Sequence, residues 1–390
     1  MTKLKHYMPA AAAFLLMMAM ALTTTALSFF VTPVCSELGI GRGSFTIYYS
    51  LMTASGAVST SFLGQYINKK GVRGILLVCG VWVAAGLTLF SFSRQLWMFY
   101  LTGAAMGLLG TSCVNLCANV IVQSSYSGEQ ASGLLGIVMA GSGVGGMIVS
   151  MFLPALLEQM GWQFGYRLLA VVWLGLLFSA FILVGKQETS HSVGHRTMPV
   201  DGMSRAEALR SPKLYLLMLV ICIMAACCGI QQQLPSLLGG MGFETAQVSA
   251  MVSFFTAALA VGKILQGILY SKAGIVRGSY IMVCIFSVSF LLLLNTRIVY
   301  PALVALAFGM GVVTTLMPMI ARFAFGPREF ASIWSILATA SSVGSFAATP
   351  LWGLVYDATG SYAPAMIAAS AGLVVALCAM VFCFREQKKR

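Results

Sequence analysis

The chain has 390 residues, of which 59% are hydrophobic and 8% are charged, and its formal net charge is +13. Soluble domains carry about 25% charged residues, so this composition excludes a soluble enzyme or binding domain and indicates a polytopic membrane protein. The positive charge does not call for a nucleic-acid partner, because the basic residues lie mainly between apolar segments, where they reflect membrane topology.

Twelve apolar runs follow one another along the chain, each close to the roughly 20 residues that an α-helix needs to cross a bilayer. The first begins after Lys3 and Lys5 and is longer than the apolar core of a secretory signal, so we expect it to be retained as a helix. We therefore predict an all-α membrane protein with twelve transmembrane helices in two six-helix halves. The predicted spans are 8–34, 44–66, 74–93, 96–122, 131–157, 166–185, 214–238, 246–270, 279–296, 299–323, 331–356 and 362–384.

One long polar stretch, 186–213, has six predicted spans before it and six after it. We interpret it as a cytoplasmic linker between an N-terminal half, 1–185, and a C-terminal half, 214–390. With the N-terminus in the cytoplasm, 18 of the 23 Lys and Arg residues fall in cytoplasmic segments and four fall outside. Cytoplasmic loops carry such an excess, so we predict cytoplasmic termini and a location in the plasma or inner membrane.

The two halves carry a repeated loop sequence. Gly64-Gln-Tyr-Ile-Asn-Lys-Lys-Gly-Val-Arg-Gly74 follows the second span, and Gly267-Ile-Leu-Tyr-Ser-Lys-Ala-Gly-Ile-Val-Arg-Gly278 follows the eighth. A repeat at equivalent positions indicates an internal duplication of the kind found in secondary transporters, whose substrate site lies near the midplane. Glycine permits sharp turns between helices. The candidate gating residues in these loops are Gly64, Asn68, Gly71, Arg73, Gly267 and Gly274.

This loop resembles the signature of the major facilitator superfamily, G-x-L-x-D-R-x-G-R-R, and the resemblance covers essentially the whole chain. Asn68 and Ser271 stand where the family has an acidic residue, which weakens the charge lock that this acid is thought to make at the cytoplasmic gate. The resemblance implies a transporter that works by alternating access, with two halves rocking about a central site.

Three further stretches resemble the monocarboxylate transporter and oxalate:formate antiporter group of that superfamily. The first leaves helix 1, the second lies on helix 8, and the third flanks helix 11. They indicate the group without identifying the substrate, and they imply transport of a small organic anion such as a monocarboxylate. The stretches are 28–43, 262–267, and 325–330 together with 354–362.

Lys263 is the only charged residue deep inside a predicted span. It lies nine residues before Lys272, or ~13 Å along a helix, which is near mid-depth of a ~30 Å hydrocarbon core. A cation at the centre of a membrane helix costs about 2.5–3.5 kcal/mol, so we expect Lys263 to face a wet cavity and bind a substrate carboxylate. Snorkelling of its side chain to the inner headgroups is the alternative.

The resemblance to oxalate-type transporters adds an expectation about charge. Those proteins have a basic residue four before the helix-8 glycine, as Lys263 is placed before Gly267, and a second lysine in helix 11. Ser341 stands where that second lysine would be. One cation in place of two implies a substrate with one carboxylate, with Ser341 beside it.

Several amides and hydroxyls inside the spans are further candidates for substrate contact. Gln232 lies in helix 7, and Asn115 and Asn119 share a face of helix 4. Amides at membrane depth bond either a neighbouring helix or a substrate, and both readings remain open here. Thr25 is weaker, because helix hydroxyls commonly bond a carbonyl of their own helix. Arg322, near the inner end of helix 10, is either a snorkelling side chain or a gate residue.

The residues that are missing also restrict function. No Asp or Glu falls at mid-membrane depth, which argues against a site for cationic drugs. The ten cysteines form no C-x-x-C pair, so we predict neither a metal site nor a disulfide framework. Catalytic constellations and cofactor motifs are lacking, so we expect no enzyme activity and no cofactor. The expected partners are a small-molecule carboxylate and the lipid bilayer, with the protein as a monomer.

Two alternative functions stay open. A multidrug or amphiphile exporter is favoured by Gly141-Ser-x-x-Gly-Gly146, which resembles the antiporter motif G-P-x-x-G-G, although a glycine face on helix 5 also simply permits close helix packing. A membrane sensor that binds solute without moving it would be expected to carry a large additional cytoplasmic domain, and the sequence contains none.

Overall fold

A computed structural model describes residues 2–70, 72–126, 128–184, 203–326 and 330–385, and the secondary structure in these ranges is helical. Long apolar segments favour this outcome, because a backbone in hydrocarbon must satisfy its N–H and C=O groups within its own helix. The first seven helices are α1 Thr2–Ser28, α2 Val31–Leu38, α3 Arg42–Lys70, α4 Val72–Phe92, α5 Leu96–Leu109, α6 Thr111–Ser125 and α7 Gly128–Val184.

The rest of the chain continues as eight α-helices with two short 3₁₀ turns. The turns are Gly229–Gln233, directly after α9, and Thr296–Ile298, directly before α13. The helices are α8 Arg205–Arg210, α9 Pro212–Cys228, α10 Leu234–Gly240, α11 Thr245–Ala273, α12 Ile275–Leu292, α13 Val299–Phe325, α14 Phe330–Thr359 and α15 Ala363–Arg385.

Each of the twelve predicted spans lies on helix, and the fold is the predicted all-α membrane architecture. Within the described residues, nine helical stretches are long and apolar enough to cross a membrane, and one of them, Ile137–Val184, covers two predicted spans. The predicted spans 44–66 and 331–356 are not among the nine. They lie on α3 and α14, whose many Ser, Thr and Gly residues lower the hydropathy without interrupting the helix.

Five predicted spans differ from the structure in continuity. The seventh, 214–238, is divided between α9 and α10 by the 3₁₀ turn Gly229–Gln233. The first is divided between α1 and α2 at Phe29 and Phe30, and the fourth is divided between α5 and α6 at Gly110. The fifth and sixth form one helix, α7, that breaks at Gly161, where φ is 79° and ψ is 164°. A side chain rarely tolerates this conformation, so glycine is the residue that permits the break.

The helices group by their contacts into two compact units. The first unit contains Met1–Gly194 and Gln231–Ala257, and the second contains His195–Ile230 and Ala258–Arg390. The predicted linker residues 186–202 lie outside the described residues. The assignment of 1–185 and 214–390 as two halves joined by a linker at 186–213 therefore remains a prediction.

Glu37 connects three parts of the first unit. Its carboxylate accepts hydrogen bonds from Trp162 Nε1 at 2.7 Å and Gln163 Nε2 at 3.0 Å, and it forms a salt bridge with Arg94 at 3.3 Å. These contacts join the end of α2 to the α4–α5 connection and to the break in α7. A carboxylate that accepts several charge-assisted or neutral bonds fixes its partners more firmly than an isolated surface pair does.

Aromatic side chains fill the first unit next to this carboxylate. Phe30 stacks on Tyr166 with ring centroids 3.9 Å apart, and Phe99 lies 5.1 Å from Phe45 and 5.5 Å from Phe90. All five rings are fully buried. Large aromatic side chains dominate packing energy where they are enclosed, so this cluster holds the α1–α2 connection, α3, α4, α5 and α7 together.

Candidate functional site

Lys263 lies in the second unit on α11, as the last residue of the apolar candidate span Thr245–Lys263, and its side chain is half-buried. Among the described residues no carboxylate lies within 4 Å of its ammonium and no hydrogen bond to it is found. Among the described titratable groups, the thiol of Cys228 is close enough to interact electrostatically with Lys263. A neutral thiol does not balance a cation, so none of the described residues compensates the charge of this ammonium.

The neighbouring face of α11 is held by α13. A Cβ built on Gly262 would lie 3.5 Å from the ring of Phe308, and the buried amide of Gln266 donates a hydrogen bond to the Phe308 carbonyl oxygen. Gln266 comes three residues after Lys263 and so lies one turn away from it. The sequence analysis did not single out Gln266, although its spacing from Lys263 was a usable signal.

Helix packing in the same unit positions Cys228. It is the last residue of α9, directly before the 3₁₀ turn. Trp352 Nε1 on α14 donates to the carbonyl oxygen of Ala226 at 3.2 Å, and Gly229 lies against Thr349 and Trp352. The end of α9, and Cys228 with it, is therefore fixed against α14.

Ser341 lies on α14 and is half-buried. No hydrogen bond joins its hydroxyl to another group in the part of the chain that the structure describes, and none joins it to Lys263. The adjacent Ser342 instead donates to the Ala338 carbonyl oxygen at 3.1 Å, the usual bond of a helix hydroxyl. Ser341 is thus the serine of this pair whose hydroxyl stays available.

Gln232 lies in the first unit, where its side-chain amide is 4% exposed. Its Nε2 donates to the carbonyl oxygen of Thr24 on α1 at 3.1 Å. Gln233 Nε2 donates to Thr46 Oγ1 at 3.4 Å. The two glutamines thus hold the 3₁₀ turn against α1 and α3, and substrate contact by Gln232 remains a prediction.

Two hydroxyls extend this polar contact to α10. Thr32 Oγ1 and Ser236 Oγ are 2.8 Å apart, and Arg42 Nη1 donates to the Ser236 carbonyl oxygen at 3.5 Å. The sequence analysis missed Thr32 and Ser236. The two residues are 204 positions apart in the chain, so no local pattern could have identified this pair.

The other candidates of the first unit lie on α1 and α6. Asn119 Nδ2 donates to the carbonyl oxygen and to the side-chain oxygen of Asn115, both at 2.9 Å, so these amides share a face and bond each other. Both are half-buried. Thr25 is 5% exposed and faces α7, because a Cβ built on Gly146 would lie 3.1 Å from its Oγ1.

The surroundings of only some candidate gating residues lie within the part of the chain that the structure describes. The Arg73 guanidinium lies over the ring of Phe181 at 4.3 Å, and its Nε has no hydrogen-bond partner among the described residues. Gly274 precedes α12 with φ 77°. Gly64 and Asn68 lie on α3, Gly267 on α11 and Arg322 on α13, but their surroundings, like the whole of Gly71, lie outside the described residues.

Known proteins resemble this chain in sequence and in fold. The model of the Major Facilitator Superfamily matches residues 11–347. Multidrug resistance protein MdtG of Rahnella sp. (strain Y9602) is 25% identical over 180 residues, which are 45% of this chain and 41% of that protein. Monocarboxylate transporter 4 of Rattus norvegicus is 25% identical over 158 residues, which are 40% of this chain and 33% of that protein.

The fold is shared with solved transporter structures. The crystal structure of the nucleoside transporter NupG superimposes with a TM-score of 0.79 at 12% identity, covering 97% of this chain and 100% of that one. Identity this low supports the fold alone. The named solutes of these three proteins are drugs, monocarboxylates and nucleosides, so similarity leaves the substrate of this chain open.

Proposed function

The chain belongs to the major facilitator superfamily, and on that premise we propose that it is a secondary transporter of a small organic anion, in particular a monocarboxylate. The superfamily match covers most of the chain, and the protein is a multi-pass membrane transporter. We propose that the anion binds at Lys263, with Ser341 beside it, and that transport proceeds by alternating access.

The observation that carries this proposal is the uncompensated charge of Lys263. An ammonium in an apolar span is costly, and groups of this kind in membrane proteins usually pair with an opposite charge or face a wet cavity. The described residues supply no carboxylate within 4 Å. A substrate carboxylate would supply the missing charge, whereas a cationic substrate would add a second positive charge to the first.

Similarity to a monocarboxylate transporter supports the same substrate class over part of the chain. Similarity to a multidrug resistance protein supports the alternative, an exporter of drugs or amphiphiles. The charge at Lys263 favours the anion over the cationic drug, because like charges repel strongly where water is scarce.

A ligand screen tests the substrate class. Purified protein is heated in the presence of formate, acetate, lactate and pyruvate, of alkylamines, and of neutral sugars and nucleosides. A ligand at 100 times its dissociation constant stabilises the folded state by about 2.7 kcal/mol, so we expect a clear rise in melting temperature with at least one monocarboxylate. Stabilisation by amines or neutral solutes only would contradict an anion site.

A further inference from the structure

Helices α7 and α11 are in close contact within the first unit at one level. A Cβ built on Gly146 would lie 3.2 Å from Thr256 Cγ2, so the helices nearly touch there. One turn along, Ser253 Oγ donates to the Met147 carbonyl oxygen at 3.3 Å. Residue numbers fall along α11 as they rise along α7, so the two helices are antiparallel.

Beyond this contact the two helices enclose a groove of about 480 Å³. At roughly 30 Å³ for each water-sized group, that volume holds on the order of sixteen heavy atoms. The groove begins at Ser253 and runs toward the break in α7 at Gly161. Its walls are Met151, Ala155 and Glu158 on α7, and Thr245, Ala246, Ser249, Ala250 and Ser253 on α11.

The groove is lined by one charged side chain, Glu158, and by few other polar groups. Ser249 donates its proton to the Thr245 carbonyl oxygen at 2.7 Å, and Ser253 donates to carbonyl oxygens of Met147 and Ser249. The Glu158 carboxylate is exposed, and among the described residues no basic group lies within 4 Å and no hydrogen bond reaches it. The groove therefore presents an apolar surface that ends at an unpaired anion.

The surroundings show from where a ligand would enter. Ile148, Phe152 and Phe254 flank the groove on the same two helices and are 41%, 62% and 41% exposed. Large apolar side chains on the outside of a membrane helix face lipid, so the groove opens toward the bilayer. A molecule that partitions into the bilayer interface reaches it more readily than a hydrophilic solute does.

The negative charge of Glu158 favours one of two kinds of amphiphile as the ligand of this groove. A zwitterionic phospholipid would bring a phosphate next to Glu158, and no lining residue is basic. A monocationic amphiphile would bring only the complementary charge. We propose that this groove is a binding site for a monocationic amphiphile, whose ammonium pairs with Glu158 and whose alkyl or aryl body lies along Met151, Ala155, Ala246 and Ala250. The site is separate from Lys263 and does not depend on the function proposed above.

Binding of radiolabelled octyltrimethylammonium tests the proposal. Equilibrium dialysis is run with purified full-length protein, and binding to empty micelles is subtracted. We expect one saturable site. We also expect Glu158→Gln to weaken binding about fivefold or more, as loss of a charge contact near a wet surface should do. Ala250→Phe, which fills the groove from an exposed position, should weaken it similarly.

Matched controls separate this site from other effects. Asp357→Asn removes an exposed carboxylate on α14, and Lys263→Gln removes the cation of the proposed anion site. The affinity of both variants for octyltrimethylammonium should be within about twofold of the wild-type affinity. Octyl sulfonate, with the same chain and the opposite charge, should not compete. Wild-type affinity in both Glu158→Gln and Ala250→Phe would overturn the proposal. Native mass spectrometry showing a phospholipid retained through Glu158, without octyltrimethylammonium binding, would overturn the proposed ligand.

Discussion

Replacement of Lys263 by glutamine is expected to abolish measurable substrate binding and uptake. Truncating one partner of a buried, desolvated charge pair costs about 2–5 kcal/mol, so the affinity for a monocarboxylate should fall at least about 30-fold. Lys263→Arg should retain part of the affinity, because it keeps the charge but presents a planar, differently shaped donor group. Binding is measured by titration calorimetry with the monocarboxylate that stabilises the wild-type protein most.

Lys213→Gln is the matched control for this series. It makes the same chemical change in the first turn of α9, and should leave the affinity unchanged. Each variant must also be shown to reach the membrane at a normal level. Uptake at the wild-type rate by Lys263→Gln would remove the basis for placing the anion at this residue and would favour the alternative of a snorkelling lysine.

A strong preference for one carboxylate over two is the second large expected effect. Lys263 is the single cation of the proposed site, and burial of a second, uncompensated carboxylate is expensive. Butyrate should therefore bind at least about tenfold more tightly than succinate, which has the same number of carbon atoms. Competition of both acids against the labelled substrate gives the two affinities under identical conditions.

Ser341→Lys should narrow or reverse this preference by adding the charge that oxalate-type relatives have at the matching position. Ser342→Lys is the control, because Ser342 is adjacent but its hydroxyl is bonded within α14. A wild-type preference for succinate would contradict the argument from a single cation. It would also indicate that Arg322 supplies a second positive charge to the substrate.

The membrane architecture could be predicted because bilayer thickness imposes a minimum length on apolar helices. All twelve predicted spans lie on helix. The interruptions were harder to place, since glycine is common throughout this chain and most glycines sit inside unbroken helices. Gly161 breaks α7 with a positive φ, whereas Gly141, Gly145 and Gly146 lie in the same helix without breaking it. Composition alone does not distinguish these positions.

The candidate site was predictable only to the level of single residues. Depth along a helix makes Lys263 a candidate, which stays a prediction, and helical spacing placed Asn115 and Asn119 on one face, where they bond each other. Partners from distant segments could not be predicted. Gln232 bonds Thr24, 208 residues away, and Lys263 lies near Cys228 across a helix boundary. Such pairs arise from tertiary packing, which one sequence does not encode in any local pattern.

Counterflow in proteoliposomes tests the central claim most directly. Vesicles containing purified protein are loaded with the unlabelled monocarboxylate selected by the ligand screen, and the labelled form is added outside. If the protein transports an organic anion that binds at Lys263, the label should accumulate transiently in vesicles with the wild-type protein. It should not accumulate with Lys263→Gln. Equal accumulation with both proteins, or accumulation of a labelled alkylamine in place of any monocarboxylate, would contradict the account.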